Sequence, residues 1–474
     1  MAIELWSERD SNFKPQNPLN MKTIKLKFKT LLVLLLLGFA FTSCGNDEKD
    51  DKKNPDADAN NPKQVNKTQT ANGDADATSS EPNSNSPQLN NSRIAEEEGG
   101  ATSPDSPEGN TAPIALDCNY FSKNPHTVLK DNPEASVDYI IPCMARIDGK
   151  LTIEPGVVIA FEQGAGMDFQ AKSAFKMEGT AEKPIILTGK EETKGYWRGI
   201  YTESPSVNNK MSYVTVDYAG GSKAALEIYK ESSNLSLDHC TFSNSKNLGM
   251  LVNSDVEKDV HNIVIKNCTF TKNKIPFQTD ASRLRMFDGT SSFTGNDKDY
   301  IHLGGETLHG DATWAKLDVP YFLQDNFKYE DGVLSVEPGT EIIMSSQVWV
   351  HLSDKASLVM VGTAEDPIII RGEHDVPGFW DGLMIDSSSP LNEIAHVNFK
   401  NAGKTTGKPN GAVKLPRSKF LNIHDVVFSD CFEYGLSVHD LARSHLEHEN
   451  LTLENTPKLF SDWDGKEIAD PENP

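Results

Sequence analysis

The chain has 474 residues, 69 of them acidic against 46 basic, for a net charge of −23. That balance argues against nucleic acid and anionic membrane surfaces as partners of the folded part, because both are bound through basic patches. It argues equally against an anionic polysaccharide such as pectate, unless calcium bridges the charges; no resident cofactor is expected.

Residues 1–20 have no targeting character, and Met21 is the expected initiator. Residues 21–43 read as a lipoprotein signal peptide: Lys22, Lys25, Lys27 and Lys29 precede an apolar run at 31–41 (LLVLLLLGFAF), and small residues lead to Cys44. Eleven positions fall well short of the ~20 needed to span a bilayer, so a cleaved leader is expected rather than an anchor. Cys44 is then the lipidation site, although Phe41 stands where such sites usually carry Leu. Residues 44–115 lack aromatic side chains and are rich in Asn, Ser, Pro, Asp and Glu. Such a segment buries too little apolar surface to offset its ordering entropy and is expected to be a disordered acidic tether.

Residues 116–147 are the expected N-terminal cap. Cys118 and Cys143 lie within it, flanking the segment just before the first coil, and have no counterpart in the later repeat, so in an oxidising envelope they suit a disulfide.

The remainder, 148–474, is expected to hold two homologous blocks, 148–292 and 331–455, joined by 293–330 and ending in a short tail. LTIEPGVVI at 151–159 returns as LSVEPGTEI at 334–342, and GTAEKPIILTG at 179–189 as GTAEDPIIIRG at 362–372. GYWRGI at 195–200 returns as GFWDGL at 378–383, every pair 183 positions apart. Inside each block a shorter apolar pattern recurs at Met211/Val214/Val216, Leu237/Cys240/Phe242 and Ile265/Cys268/Phe270, then at Ile394/Val397/Phe399 and Ile423/Val426/Phe428. Strands this short, restarting every two dozen residues or so between Gly, Asn, Asp and Pro corners, predict a parallel β-solenoid of roughly a dozen coils. Cys240 and Cys268 fall at equivalent positions of adjacent coils, as core thiols or as a bridge between coils; Cys431 has no evident partner.

The motifs EPGVVIAF, GTAEKPIILTG and GYWRGIYTE resemble right-handed parallel β-helix proteins found as secreted or surface lipoproteins of Bacteroidota, within the pectate-lyase-like fold superfamily. The acidic run after Cys44 resembles their surface-export signals, the other reading being a solvated start to the tether. The resemblance implies an all-β solenoid and an outer-membrane or cell-surface location. It implies no single activity, because fold does not fix chemistry.

No catalytic residue is assigned: the carboxylate motifs of polysaccharide-cleaving β-helices do not occur in the solenoid. A carboxylate pair assembled from different coils, as lyase or hydrolase chemistry would require, is not legible in sequence. Asp297 and Asp299 with Arg283 and Arg285 read as a charged loop, and His439, Asp440, His445, Glu447 and His448 match no metal spacing. Trp197 and Trp380 recur in one Gly-x-Trp-x-Gly frame and are expected to be structural. Trp349 alternates with Val348 and Val350 and is the leading binding residue, followed by Tyr196 and Phe379. The expected function is non-catalytic binding or adhesion by a lipid-anchored monomer, with a glycan or another envelope protein as partner. The alternatives are a polysaccharide lyase or hydrolase and a purely structural envelope component.

Overall fold

A computed structural model describes residues 101–104, 111–230, 232–252, 262–403 and 407–471. The signal segment, Cys44 and most of the tether lie outside these residues. So do all of residues 1–92; the described residues belong to the second of two units, Arg93–Pro474.

The second unit is a parallel β-solenoid of about 13 turns. Among the described residues, helix is confined to one turn at Tyr120–Lys123 and two 3-10 segments, Ala281–Met286 and Asp440–His445. In the first half each turn contributes one strand to each of three faces. Lys150–Ile153, Val158–Phe161 and Gly166–Phe169 make one such turn, and each pairs in parallel with the corresponding strand of the next. The first full turn is His126–Leu129, Tyr139–Ile141 and Met144–Ile147. The solenoid therefore begins inside the segment that the sequence suggested as a cap. Its strands pair directly with the turn above.

Alternation places apolar side chains of each strand inside, where like residues stack. One column runs through every turn: Ala145, Met167, Ile200, Leu226, Met250, Phe277, Ile301, Tyr321, Ile342, Ile370, Phe399, Phe428 and Leu453. Another carries Phe242, Phe270 and Phe293, whose rings stack at 5.0 and 5.1 Å. Stacked aromatics add about 0.5–1.5 kcal/mol per pair beyond their buried area.

The corners are built from left-handed backbone. Tyr213, His239 and Asn267 take φ of 49°, 54° and 53°, and their second-block counterparts His396, Asp425 and Asn450 take 49°, 53° and 50°. Asn, Asp and His tolerate this region best among non-glycine residues, which accounts for much of the corner composition. Two buried asparagines lock another corner. Asn209 accepts from the Phe175 amide and donates to the carbonyls of Ser204 and Asn234. Asn392 repeats the pattern with Leu358, Ser387 and Phe420.

Cys118 and Cys143 are joined by a disulfide, Cα atoms 5.8 Å apart. Cys240, Cys268 and Cys431 are free and buried. Burial pushes the Cys431 thiol up to about 11, so it is a packed and unreactive group.

Candidate functional site

The Gly-x-Trp-x-Gly frame is a folding device. Trp197 is fully buried, stacks on Phe161 at 4.0 Å and donates its indole N–H to the Asp217 carbonyl. Trp380 is equally buried and donates to the Lys400 carbonyl, the matching position. The glycine after the Trp is required: at Gly199 and Gly382 φ is 118° and 108°, and a Cβ would lie 2.6 and 2.4 Å from a carbonyl oxygen of the next turn. Tyr196 and Phe379 lie against Gly189 and Gly372, where an added Cβ would meet their rings at 3.1 and 3.0 Å. Both rings are half-buried corner packing, and neither lines a groove with Trp349.

Trp349 faces outward, half-buried, on the strand Trp349–Val361. Its partner in the next turn is Gly382, which has no side chain to fill the space beside the indole. The result is a groove of about 310 Å³ lined by Trp349, His351, Asp381, Met384, Pro409 and Lys414. Trp349 and His351 meet edge to face at 6.0 Å. Lys414 is buried, and its ammonium donates to the Asp381 carbonyl. Burial pushes the His351 pKa down, against the opposing pull of Asp386 3.8 Å away, so the ring is neutral near pH 7. An aromatic face, two lysines (Lys408 with Lys414) and a neutral imidazole suit a ligand with an apolar face and many hydroxyls.

Comparison of the two blocks singles out this face. Leu226 and Val413 are equivalent, since both pair with matched strands at Ile200 and Leu383. The offset has grown from 183 to 187, so four residues are inserted between Gly403 and Gly411. That insertion carries Lys408 and Pro409 into the groove. Insertions in repeat proteins tend to collect on the binding face.

The same alignment exposes residues that sequence reading missed. Gly166, Asp168, Tyr201 and Glu227 of the first block occupy the positions of Trp349, His351, Met384 and Lys414. Asp168 accepts from the Tyr229 hydroxyl at 3.2 Å, and the Tyr201 and Tyr229 rings meet at 6.2 Å. Glu227 sits 3.5 Å from Lys223 through one oxygen, with its side chain only 6 % exposed. Desolvation raises both carboxyls above their usual range, countered at Asp168 chiefly by Tyr229 and at Glu227 by Lys223. The signal that would have found them is the contrast between repeats: AALEI against GAVKL, a charge reversal inside an otherwise matched strand.

The remaining sequence candidates resolve into local structure. Asp299 accepts from the amides of Gly295 and Asn296, and Arg285 donates to the carbonyls of His309, Gly310 and Asp311. His439 accepts from the Leu441 amide, Asp440 pairs with Arg443, and His448 reaches Asp470 at 2.9 Å. Among the described residues no group of three or more His, Cys, Asp or Glu is arranged to hold a metal.

No protein-family model, curated protein or solved structure matches the chain.

Proposed function

We propose that this protein is a lipid-anchored, non-catalytic glycan-binding solenoid of the cell envelope, exposed at the outer membrane or cell surface. The observation that carries the binding role is the Trp349 groove, with its indole beside Gly382 and its rim built by an insertion peculiar to the second block. The pyranose ring of a sugar has an apolar face that stacks on Trp349, while Lys408, Lys414 and His351 meet its hydroxyls. The anchor rests on the basic and apolar run before Cys44, and the tether would hold the solenoid clear of the lipid.

The test is a glycan array followed by calorimetry on the best ligand, run beside a reducing-end and unsaturated-product assay on mixed polysaccharides. Binding without turnover, lost at least tenfold in Trp349→Ala, is expected. Turnover that disappears with a single carboxylate substitution would move the protein to the polysaccharide-cleaving class. Neither binding nor turnover would leave a purely structural role. Metabolic labelling with a fatty-acid analogue, abolished in Cys44→Ser, checks the anchor.

A further inference from the structure

The first block carries an acidic and phenolic cluster at the positions equivalent to the Trp349 groove, and its chemistry is inverted. Asp168, Tyr201 and Glu227 project from three successive turns in one outward column, set by the pairings Asp168 to Tyr201 and Tyr201 to Glu227. Tyr229 reaches back across this column to hydrogen-bond Asp168 and to meet the Tyr201 ring. The Glu203–Lys230 ion pair, at 2.8 Å, lies close to Asp168 and Tyr229. Glu227 supplies the feature that needs explaining. One carboxylate oxygen faces Lys223, while Oε2 is buried without a hydrogen-bond partner. A buried carboxylate oxygen left unmatched keeps its desolvation penalty, and a donor from outside would relieve it.

The kind of donor follows from the surroundings. Asp168 and Glu227 are two turns apart, about 9.6 Å between Cα atoms at the 4.8 Å strand spacing. A hard divalent cation needs six or more oxygens at ~2.3–2.6 Å, and two carboxyls so spaced with two phenols do not supply them. A primary ammonium needs less: one or two carboxylates and an aromatic wall, which attracts it through the ring faces. We infer that the Asp168–Tyr201–Glu227–Tyr229 cluster binds a primary ammonium group, as borne by a de-N-acetylated amino sugar. The inference extends the glycan-binding reading to a second ligand chemistry but uses none of the Trp349 groove. An acidic cluster and a basic aromatic groove at equivalent positions of a duplicated block then amount to two specificities from one scaffold.

The probe is a tetramer of β-1,4-linked glucosamine, titrated calorimetrically into the full chain at low salt, with its fully N-acetylated counterpart and a lysine amide as controls. The glucosamine tetramer should bind at least tenfold more tightly than the acetylated one. Glu227→Gln should reduce that affinity at least tenfold and Tyr229→Phe several-fold, each with an unchanged far-ultraviolet circular dichroism spectrum. Trp349→Ala should leave it unaltered, which separates this site from the groove. Equal binding of both tetramers, or full affinity in Glu227→Gln, overturns the inference. A lysine amide that binds as well as the tetramer keeps the ammonium site and removes the sugar as its carrier.

Discussion

Ile342 stacks on Tyr321 in the column that begins with Ala145 and Met167, although its sequence counterpart, Ile159, lies on the neighbouring face. The second block is therefore not a simple continuation of the first. Its second face prolongs the third face of the first block, a slip of one face around the axis. The slip occurs where the column advances by only 20 and 21 residues, from Ile301 to Tyr321 and from Tyr321 to Ile342. These are the shortest steps in the column.

Tyr321 is the hinge of that transition, buried, with its hydroxyl donating to the Ala315 carbonyl at 2.8 Å. Tyr321→Ala should destabilise the solenoid by about 3–5 kcal/mol, the range for removing a large core aromatic. Tyr321→Phe should cost about 1 kcal/mol, the net worth of one hydrogen bond. Urea denaturation followed by circular dichroism measures both.

Asn209 and Asn392 each satisfy one amide and two carbonyls inside the wall. Alanine at either position leaves buried backbone groups unmatched and should cost about 2–3 kcal/mol. Because the two networks are copies in separate blocks, the double variant should show nearly additive losses. A strongly non-additive result would mean that the blocks do not fold as independent neighbours.

The Cys118–Cys143 bridge closes a loop of 25 residues at the start of the solenoid. Chain-entropy arguments give such a loop about 3 kcal/mol. Cys118→Ser with Cys143→Ser should lower Tm and expose the first turn. Faster hydrogen exchange in Tyr139–Ile141 than in Phe399 or Phe428 checks this.

His424 donates toward Asp425 at 2.8 Å and approaches Glu393 at 3.4 Å, and the first of these raises its pKa most. A histidine raised above its unfolded value near 6.5 contributes stability below that pH and loses it as pH rises through the folded value. His424→Gln should therefore lower Tm at pH 5.5 and leave it unchanged at pH 8.5. A deficit of equal size at both values would assign the loss to packing.

Much of the scaffold was legible because apolar residues at fixed offsets must face one interior. The 183-residue repeat, the strands and the buried Trp197 and Trp380 follow from that constraint. The face slip was not legible, since a linear period carries no angle around the axis. Trp349 stood out because it breaks an alternating valine run. Glu227 and Lys414 did not, because each sits in a strand whose every residue is buried, where an outward charge looks like a core interruption.

The slip has a geometric consequence for recognition. Had the blocks continued in phase, the acidic cluster and the Trp349 groove would form one strip, readable by a single straight polymer. Offset around the axis, they address different directions, and a rigid chain lying along one cannot reach the other. Were both proposed sites to hold polymers, the molecule would join two separate strands rather than grip one strand twice.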